Sequence, residues 1–109
     1  MKGSTEPTVL IVEDESAPST LLRYNLEREG YRVFEAKDGE EALLLADEAK
    51  PDLVLLDWML PQLSGIEVCR RLKSAPETRL TPVILITGLA ESRDRIDGIE
   101  AGADDFLTK

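Results

Sequence analysis

Apolar residues along this chain follow two alternating periods. Unbroken runs appear at Val9-Leu10-Ile11-Val12, Leu53-Val54-Leu55-Leu56 and Val83-Ile84-Leu85-Ile86. A run this short, bounded by turn signals, has strand length rather than helix length and fits a strand buried on both faces, as in a parallel sheet. Residues 31–36 are less apolar and alternate, with Tyr31, Val33 and Glu35 set against Arg32 and Phe34, so a strand nearer the sheet edge is predicted. A fifth strand begins at Asp105-Phe106-Leu107-Thr108.

Between these runs the period lengthens to that of a helix. Ser16 is a candidate cap for a first helix that carries Pro18 in its opening turn. Its apolar face is Leu22 and Leu26 with Leu21 beside them, Arg23, Asn25, Glu27 and Arg28 face water, and Gly30 stops it. Asp38-Gly39-Glu40-Glu41 has capping-box spacing and opens a second helix, with Ala42, Leu45, Ala46 and Ala49 on one stripe. Ser64-Gly65-Ile66-Glu67 opens a third, packing Ile66, Cys69 and Leu72 inward and leaving Arg70, Arg71 and Lys73 outside. A fourth, residues 92–101, is held mainly by Ile96 and Ile99, is weakened by Gly98 and ends at Gly102. Strands and helices in this alternation predict a doubly wound α/β sandwich.

At 109 residues the chain has room for one small domain, with residues 1–7 as a polar leader and residues 8–109 as the folded unit. A net charge of -9 argues against direct nucleic-acid binding, which needs a basic footprint, and suits a divalent cation or a basic protein surface. The absence of histidine removes the commonest general base and any phosphohistidine chemistry from this chain. Cys69, the single cysteine, excludes an internal disulfide and reads as a small core residue in a reducing compartment. No run approaches membrane-spanning length and the leader has no apolar stretch, so a cytoplasmic protein without membrane contact is expected.

Polar groups of definite chemistry end four of the apolar strands: Glu13-Asp14, Asp57, Thr87-Gly88 and Lys109. In a doubly wound sheet those ends converge on one crevice at the point where strand order reverses. Crowded carboxylates repel unless a cation sits among them, and hard oxygen ligands suit Mg2+. Thr87 offers a hydroxyl, Lys109 a point charge and Gly88 a closely approachable amide, all suited to phosphoryl oxygens. With no histidine or serine–base pair available, the best nucleophile in such a crevice is a carboxylate. Taken singly, each group also has a plain reading: Glu13-Asp14 as a solvated helix-start cluster, Thr87 as a strand residue, Lys109 as an exposed lysine. Trp58 reads equally as a packing residue or as a lid beside Asp57.

Four motifs in order carry a resemblance. They are Val9-Leu10-Ile11-Val12-Glu13-Asp14-Glu15, then Asp57-Trp58-Met59-Leu60-Pro61 with Gly65, then Pro82-Val83-Ile84-Leu85-Ile86-Thr87-Gly88, and finally Gly102-Ala103-Asp104-Asp105-Phe106-Leu107-Thr108-Lys109. Over nearly its whole length the chain resembles the receiver domain of bacterial two-component response regulators. Its helix-one and loop wording resembles the phosphate-regulon type, whose receivers precede a winged-helix DNA-binding domain. The resemblance implies a flavodoxin-like sandwich with a five-stranded parallel sheet of order 2-1-3-4-5. By position it implies that Asp57 takes a phosphoryl group from the phosphohistidine of a sensor histidine kinase. Asp14, Asp57 and the Met59 carbonyl would bind Mg2+ directly, with Glu13 acting through water. Thr87 and Lys109 would meet the phosphoryl group, Gly88 would offer its backbone, and Thr87 and Phe106 would be the switch pair.

Such a domain controls an output domain or partner. Its only catalysis is its own phosphorylation from small phosphodonors and its own dephosphorylation. Phe106 departs from a tyrosine at that position by lacking a hydroxyl, so its movement would follow packing alone. Residues 88–102 are expected to be the low-stability segment that responds. The resemblance also implies a fifth helix that this sequence does not include, and an uncovered flank would favour an oligomer or another covering chain. Two other readings remain open. A haloacid-dehalogenase-type Mg2+ phosphohydrolase would want a second Asp where Met59 stands, and a pseudo-receiver acting by shape alone would have lost an acidic residue or Lys109.

Overall fold

Alternate residues of each central strand point to opposite faces of one sheet, and both faces are covered; that is why the strands read as unbroken apolar runs. The computed structural model describes residues 6–87 and 101–108. Gly88, Lys109 and the predicted fourth helix up to residue 100 lie outside them, as does nearly all of the expected switch segment. The strands are β1 (Thr8–Val12), β2 (Arg32–Ala36), β3 (Leu53–Asp57), β4 (Val83–Thr87) and β5 (Asp105–Thr108). They pair in parallel in the order β2-β1-β3-β4-β5. The expected flavodoxin-like order is therefore present, and the alternating segment is an edge strand.

Helices α1 (Ser16–Arg28), α2 (Gly39–Ala49) and α3 (Gly65–Ser74) connect the first four strands. Leu10, Val12, Val54, Leu56, Val83 and Leu85 form one core with Ala42 and Ala46 of α2 and Val68, Cys69 and Leu72 of α3. Val9, Ile11, Val33 and Leu55 form the other, against which Leu22 and Leu26 of α1 pack. The alternation places Val54 and Leu56 on the first face and Leu55 on the second within three consecutive residues.

Local chemistry sets the helix ends. Asp38 accepts a hydrogen bond from the Glu41 amide at 2.8 Å, while Glu41 reaches back to the Lys37 amide at 2.7 Å, one residue earlier than a strict capping box. Ser64 accepts from the Glu67 amide at 3.3 Å, and Glu67 turns instead to Arg70 and Arg71, at 2.8 and 3.1 Å. For α1 the cap is Glu15 rather than Ser16, and no side chain closes it. Gly30, at φ 95°, takes the left-handed position that ends the helix region, as expected. Leu21 departs from the expected apolar face: it is 63% exposed, beside the equally exposed Tyr24. Leu22 and Leu26, four apart, already fill the stripe that meets the sheet, and Leu21 lies off it. Arg23 does not simply face water either, since its guanidinium reaches Glu35 of β2 at 2.7 Å.

Candidate functional site

The order of the sheet reverses between β1 and β3, and three carboxylates gather where those strands end. The pairing of Val12 with Leu56 sets the next residues, Glu13 and Asp57, side by side. The Glu13 amide donates to the Ala36 carbonyl at 3.0 Å, which extends the β1–β2 ladder by one residue and turns the Glu13 side chain inward. Asp57 closes β3 and pairs with Ile86 of β4. Both acids are nearly solvent-free, at 4% and 3% exposure, whereas Asp14 is exposed. One oxygen from each of Glu13, Asp14 and Asp57 lies within 4.8 Å of the others.

Neighbouring backbone orients this cluster. The Glu15 amide donates to Glu13 Oε2 at 3.2 Å, and the Met59 amide donates to Asp57 Oδ1 at 3.1 Å. Met59 therefore lies against the site through its main chain, while its side chain is 74% exposed. Trp58 is partly buried and packs against the α2–α3 core. Its amide donates to the Ile86 carbonyl at 3.0 Å and holds the strand end in line. The loop then folds tightly: the Leu63 amide donates to the Pro61 carbonyl at 2.7 Å, with Gln62 at φ 65° between them.

Gly65 is a requirement of the site that sequence reasoning caught only as part of a motif. A Cβ there would lie 2.2 Å from the Asp57 carbonyl oxygen and 2.9 Å from the Trp58 Cα. No side chain fits, because the first turn of α3 rests on the backbone of the strand end, and the Gly65 amide donates to the Trp58 carbonyl at 3.1 Å. The sequence signal was a glycine just inside a helix start, where a better helix former would otherwise stand.

The other expected site residues divide. Thr87 is the last residue of β4, at the same edge of the sheet as Asp57, and pairs with Thr108. Gly88 and Lys109 lie outside the described residues. Phe106 pairs with Leu85 and is half-buried against the α2–α3 core, in β5 rather than in the carboxylate cluster. Cys69 is no rival nucleophile, since burial pushes its thiol up to about 11.

An all-oxygen donor set with two buried carboxylates matches the preference of a hard divalent cation such as Mg2+, so the residues present fit that ion. Held there, a cation would offset the mutual repulsion of the acids and leave a carboxylate oxygen of Asp57 at a polar, anion-tolerant edge. A phosphohydrolase of the haloacid-dehalogenase type is not favoured, because the position two residues after Asp57 presents an amide and no carboxyl.

Comparison with known proteins agrees with this geometry. Residues 9–109 match the response regulator receiver domain family. The chain is 50% identical over 103 residues to the phosphate regulon transcriptional regulatory protein PhoB of Rhizobium meliloti, covering 94% of this chain and 45% of that protein. It is 50% identical over 101 residues to the alkaline phosphatase synthesis transcriptional regulatory protein PhoP of Bacillus subtilis, covering 93% and 41%. The chain thus spans less than half the length of these relatives. Among solved structures it superposes on the chemotaxis protein CheY4 of Vibrio cholerae with a TM-score of 0.93 at 28% identity, covering 96% of this chain and 88% of that one. The receiver domain of the sensor histidine kinase PA1611 from Pseudomonas aeruginosa, solved with a magnesium ion coordinated in its active site cleft, superposes with a TM-score of 0.88 at 32% identity, covering 96% and 86%. Among the described residues no helix is long and apolar enough to cross a membrane. With its sheet order, its acidic crevice and a family match over almost all of its length, this chain belongs to the response regulator receiver domains, the phosphoacceptor modules of two-component signalling.

Proposed function

We propose that Asp57 is the phosphoacceptor and that Glu13, Asp14 and Met59 serve it. The observation that carries this reading is the cluster itself: three carboxylates with oxygens within 4.8 Å at the strand-order switch point, Asp57 among the most buried. A carboxylate oxygen of Asp57 attacks the phosphorus of a phosphohistidine on a sensor histidine kinase. The P–O bond forms as the P–N bond breaks, the imidazole leaves and takes up a proton, and an acyl phosphate remains on Asp57. Asp14, Asp57 and the Met59 carbonyl would hold Mg2+, with Glu13 acting through water, and when bound the ion would supply charge neutralisation for incoming phosphoryl oxygens. The magnesium seen in the PA1611 receiver supports this reading.

Thr87, Gly88 and Lys109 receive the phosphoryl oxygens, and Thr87 with Phe106 relays the change by packing. The module catalyses only its own phosphorylation from small donors and its own dephosphorylation. Its output is a DNA-binding domain or partner outside this chain, in keeping with the transcriptional regulators it resembles. Intact mass after incubation with acetyl phosphate and Mg2+ tests this directly. One added phosphoryl group is expected, absent in Asp57→Asn and suppressed by excess chelator. A phosphoryl group still gained by Asp57→Asn would refute the assignment.

A further inference from the structure

The last strand, β5, has an ambiguous pattern. Asp105-Phe106-Leu107-Thr108 places two large apolar residues next to each other, so alternation does not say which of them faces the core. In the fold Phe106 is the half-buried one and Leu107 is 51% exposed. Among the described residues β5 is also an edge strand of four residues, paired with β4 alone. A shift of one residue would turn each side chain to the opposite face. Something other than hydrophobic alternation must therefore fix its pairing.

Asp104, just ahead of β5, has the contacts to do so. Its amide donates to the Val83 carbonyl at 2.9 Å, and its Oδ2 accepts from the Val83 amide at 2.8 Å. One residue thus grips both polar groups of the first residue of β4. The carboxylate stands in for the strand carbonyl that Val83 would otherwise need. The same oxygen accepts from Lys73 Nζ at 2.8 Å. Lys73 is held in turn, since it also donates to the Thr81 carbonyl at 2.8 Å and to the Arg79 carbonyl at 3.4 Å. Its stem lies where a Cβ on Gly102 would come within 3.0 Å of it. Gly102 itself is at φ 97°, so the chain reaches Asp104 through a turn that suits glycine. The last turn of α3, the loop after it, and the approach to β5 all meet at this one pair.

We propose that Asp104, clamped by Lys73, is a positioning residue that fixes the register of β5 on β4 and so aims Phe106 from the far end of the sheet. The functional half of this inference rests on the role given above to Phe106; the register half does not. Asp104 touches neither the carboxylate cluster nor the phosphoryl group. Its effect is carried by the pairing of Ile84 with Asp105, Leu85 with Phe106, Ile86 with Leu107 and Thr87 with Thr108.

The test uses the 109-residue chain with Asp104→Ala, Asp104→Asn and Lys73→Met. Cross-strand backbone NOEs read the register, Mg2+ titration reads the carboxylate cluster, and acetyl phosphate labelling reads the reaction. Asp104→Ala is expected to lose or double the β4–β5 NOE set. Its phosphorylation should slow by about ten- to a hundredfold, the scale of an ångström-sized misplacement, with Mg2+ affinity unchanged. Asp104→Asn keeps an oxygen for the Val83 amide and should restore the native NOE set and most of the rate. Lys73→Met should slow labelling by about two- to fivefold, the scale of a partly exposed ion pair. A single native NOE set in Asp104→Ala overturns the register assignment. Native-rate labelling despite a shifted register overturns the positioning role, as does Mg2+ affinity falling in step with labelling. Should Asp104→Ala fail to fold, wild-type labelling and NOEs in Lys73→Met overturn the proposal. Absence of labelling in the unsubstituted chain would instead count against the phosphoacceptor reading, and the NOE comparison would still decide the register.

Discussion

The two faces of the sheet are built differently. Beneath α2 and α3 the core is apolar throughout, from Leu10 and Leu56 to Val68, Cys69 and Leu72. Beneath α1 a smaller cluster of Val9, Ile11, Val33 and Leu55 is flanked by a polar network. Ser19, almost wholly buried, donates a short hydrogen bond to Glu35, which also pairs with Arg23. Arg23 in turn meets Glu27 at 3.1 Å. One face holds the fold mainly by buried area, which is indifferent to direction, with the Lys73–Asp104 pair at its margin. The other adds directional, ionisable contacts, which are weaker where solvent reaches them.

Truncation should expose the contrast most strongly. Leu72→Ala, in the apolar core, is expected to cost about 2–5 kcal/mol in denaturant unfolding. Leu26→Ala, half-buried on the sheet-facing side of α1, should cost about 1–2 kcal/mol. Equal losses would show that the two faces contribute alike.

Next in size is Gly65→Ala, expected to cost about 1–3 kcal/mol because the added methyl collides with backbone rather than with a yielding side chain. The variant should also label more slowly with acetyl phosphate, since the displaced atoms belong to Asp57 and Trp58. A Gly65→Ala protein of unchanged stability and rate would remove α3 from the description of the site.

Smaller again is Ser19→Ala, at about 1 kcal/mol, the worth of one buried hydrogen bond to a charged partner less its desolvation. The acid response should be the mildest and should draw on both faces in the same direction. The Ser19 hydroxyl first, and then Arg23, hold the Glu35 carboxyl below its ordinary value of 4.5. A depressed folded-state pKa contributes stability that is present above the ordinary value and is lost as pH falls through the folded one. Asp104 contributes in the same direction: burial would raise its pKa, but Lys73 and the Val83 amide outweigh it. Glu35→Gln should therefore flatten part of the loss of stability below about pH 4.5 and leave the rest to Asp104. An unchanged acid limb would assign that loss elsewhere.

The sequence made the sheet legible because burial on both faces leaves a signature no amphipathic segment can imitate. The three unbroken runs marked β1, β3 and β4, and the residues that end them marked the acidic crevice. Leu21 was misread because adjacent leucines on a helix do not reveal which of them meets the sheet. Arg23 and Lys73 were assigned to water because their partners, Glu35 and Asp104, lie on other elements, and helical period encodes only neighbours three and four residues apart. Gly65 was visible as a residue type but not as a contact, since the carbonyl it must clear belongs to a strand eight positions earlier in the chain.

Gly65 also has a mechanical consequence. With less room than a methyl group between the start of α3 and the carbonyl of Asp57, the end of β3 rests on a hard stop. Compliance at that end of the sheet is therefore one-sided: a push at Asp57 towards α3 meets a wall. A module built this way gives its displacement a direction before any partner is present to read it.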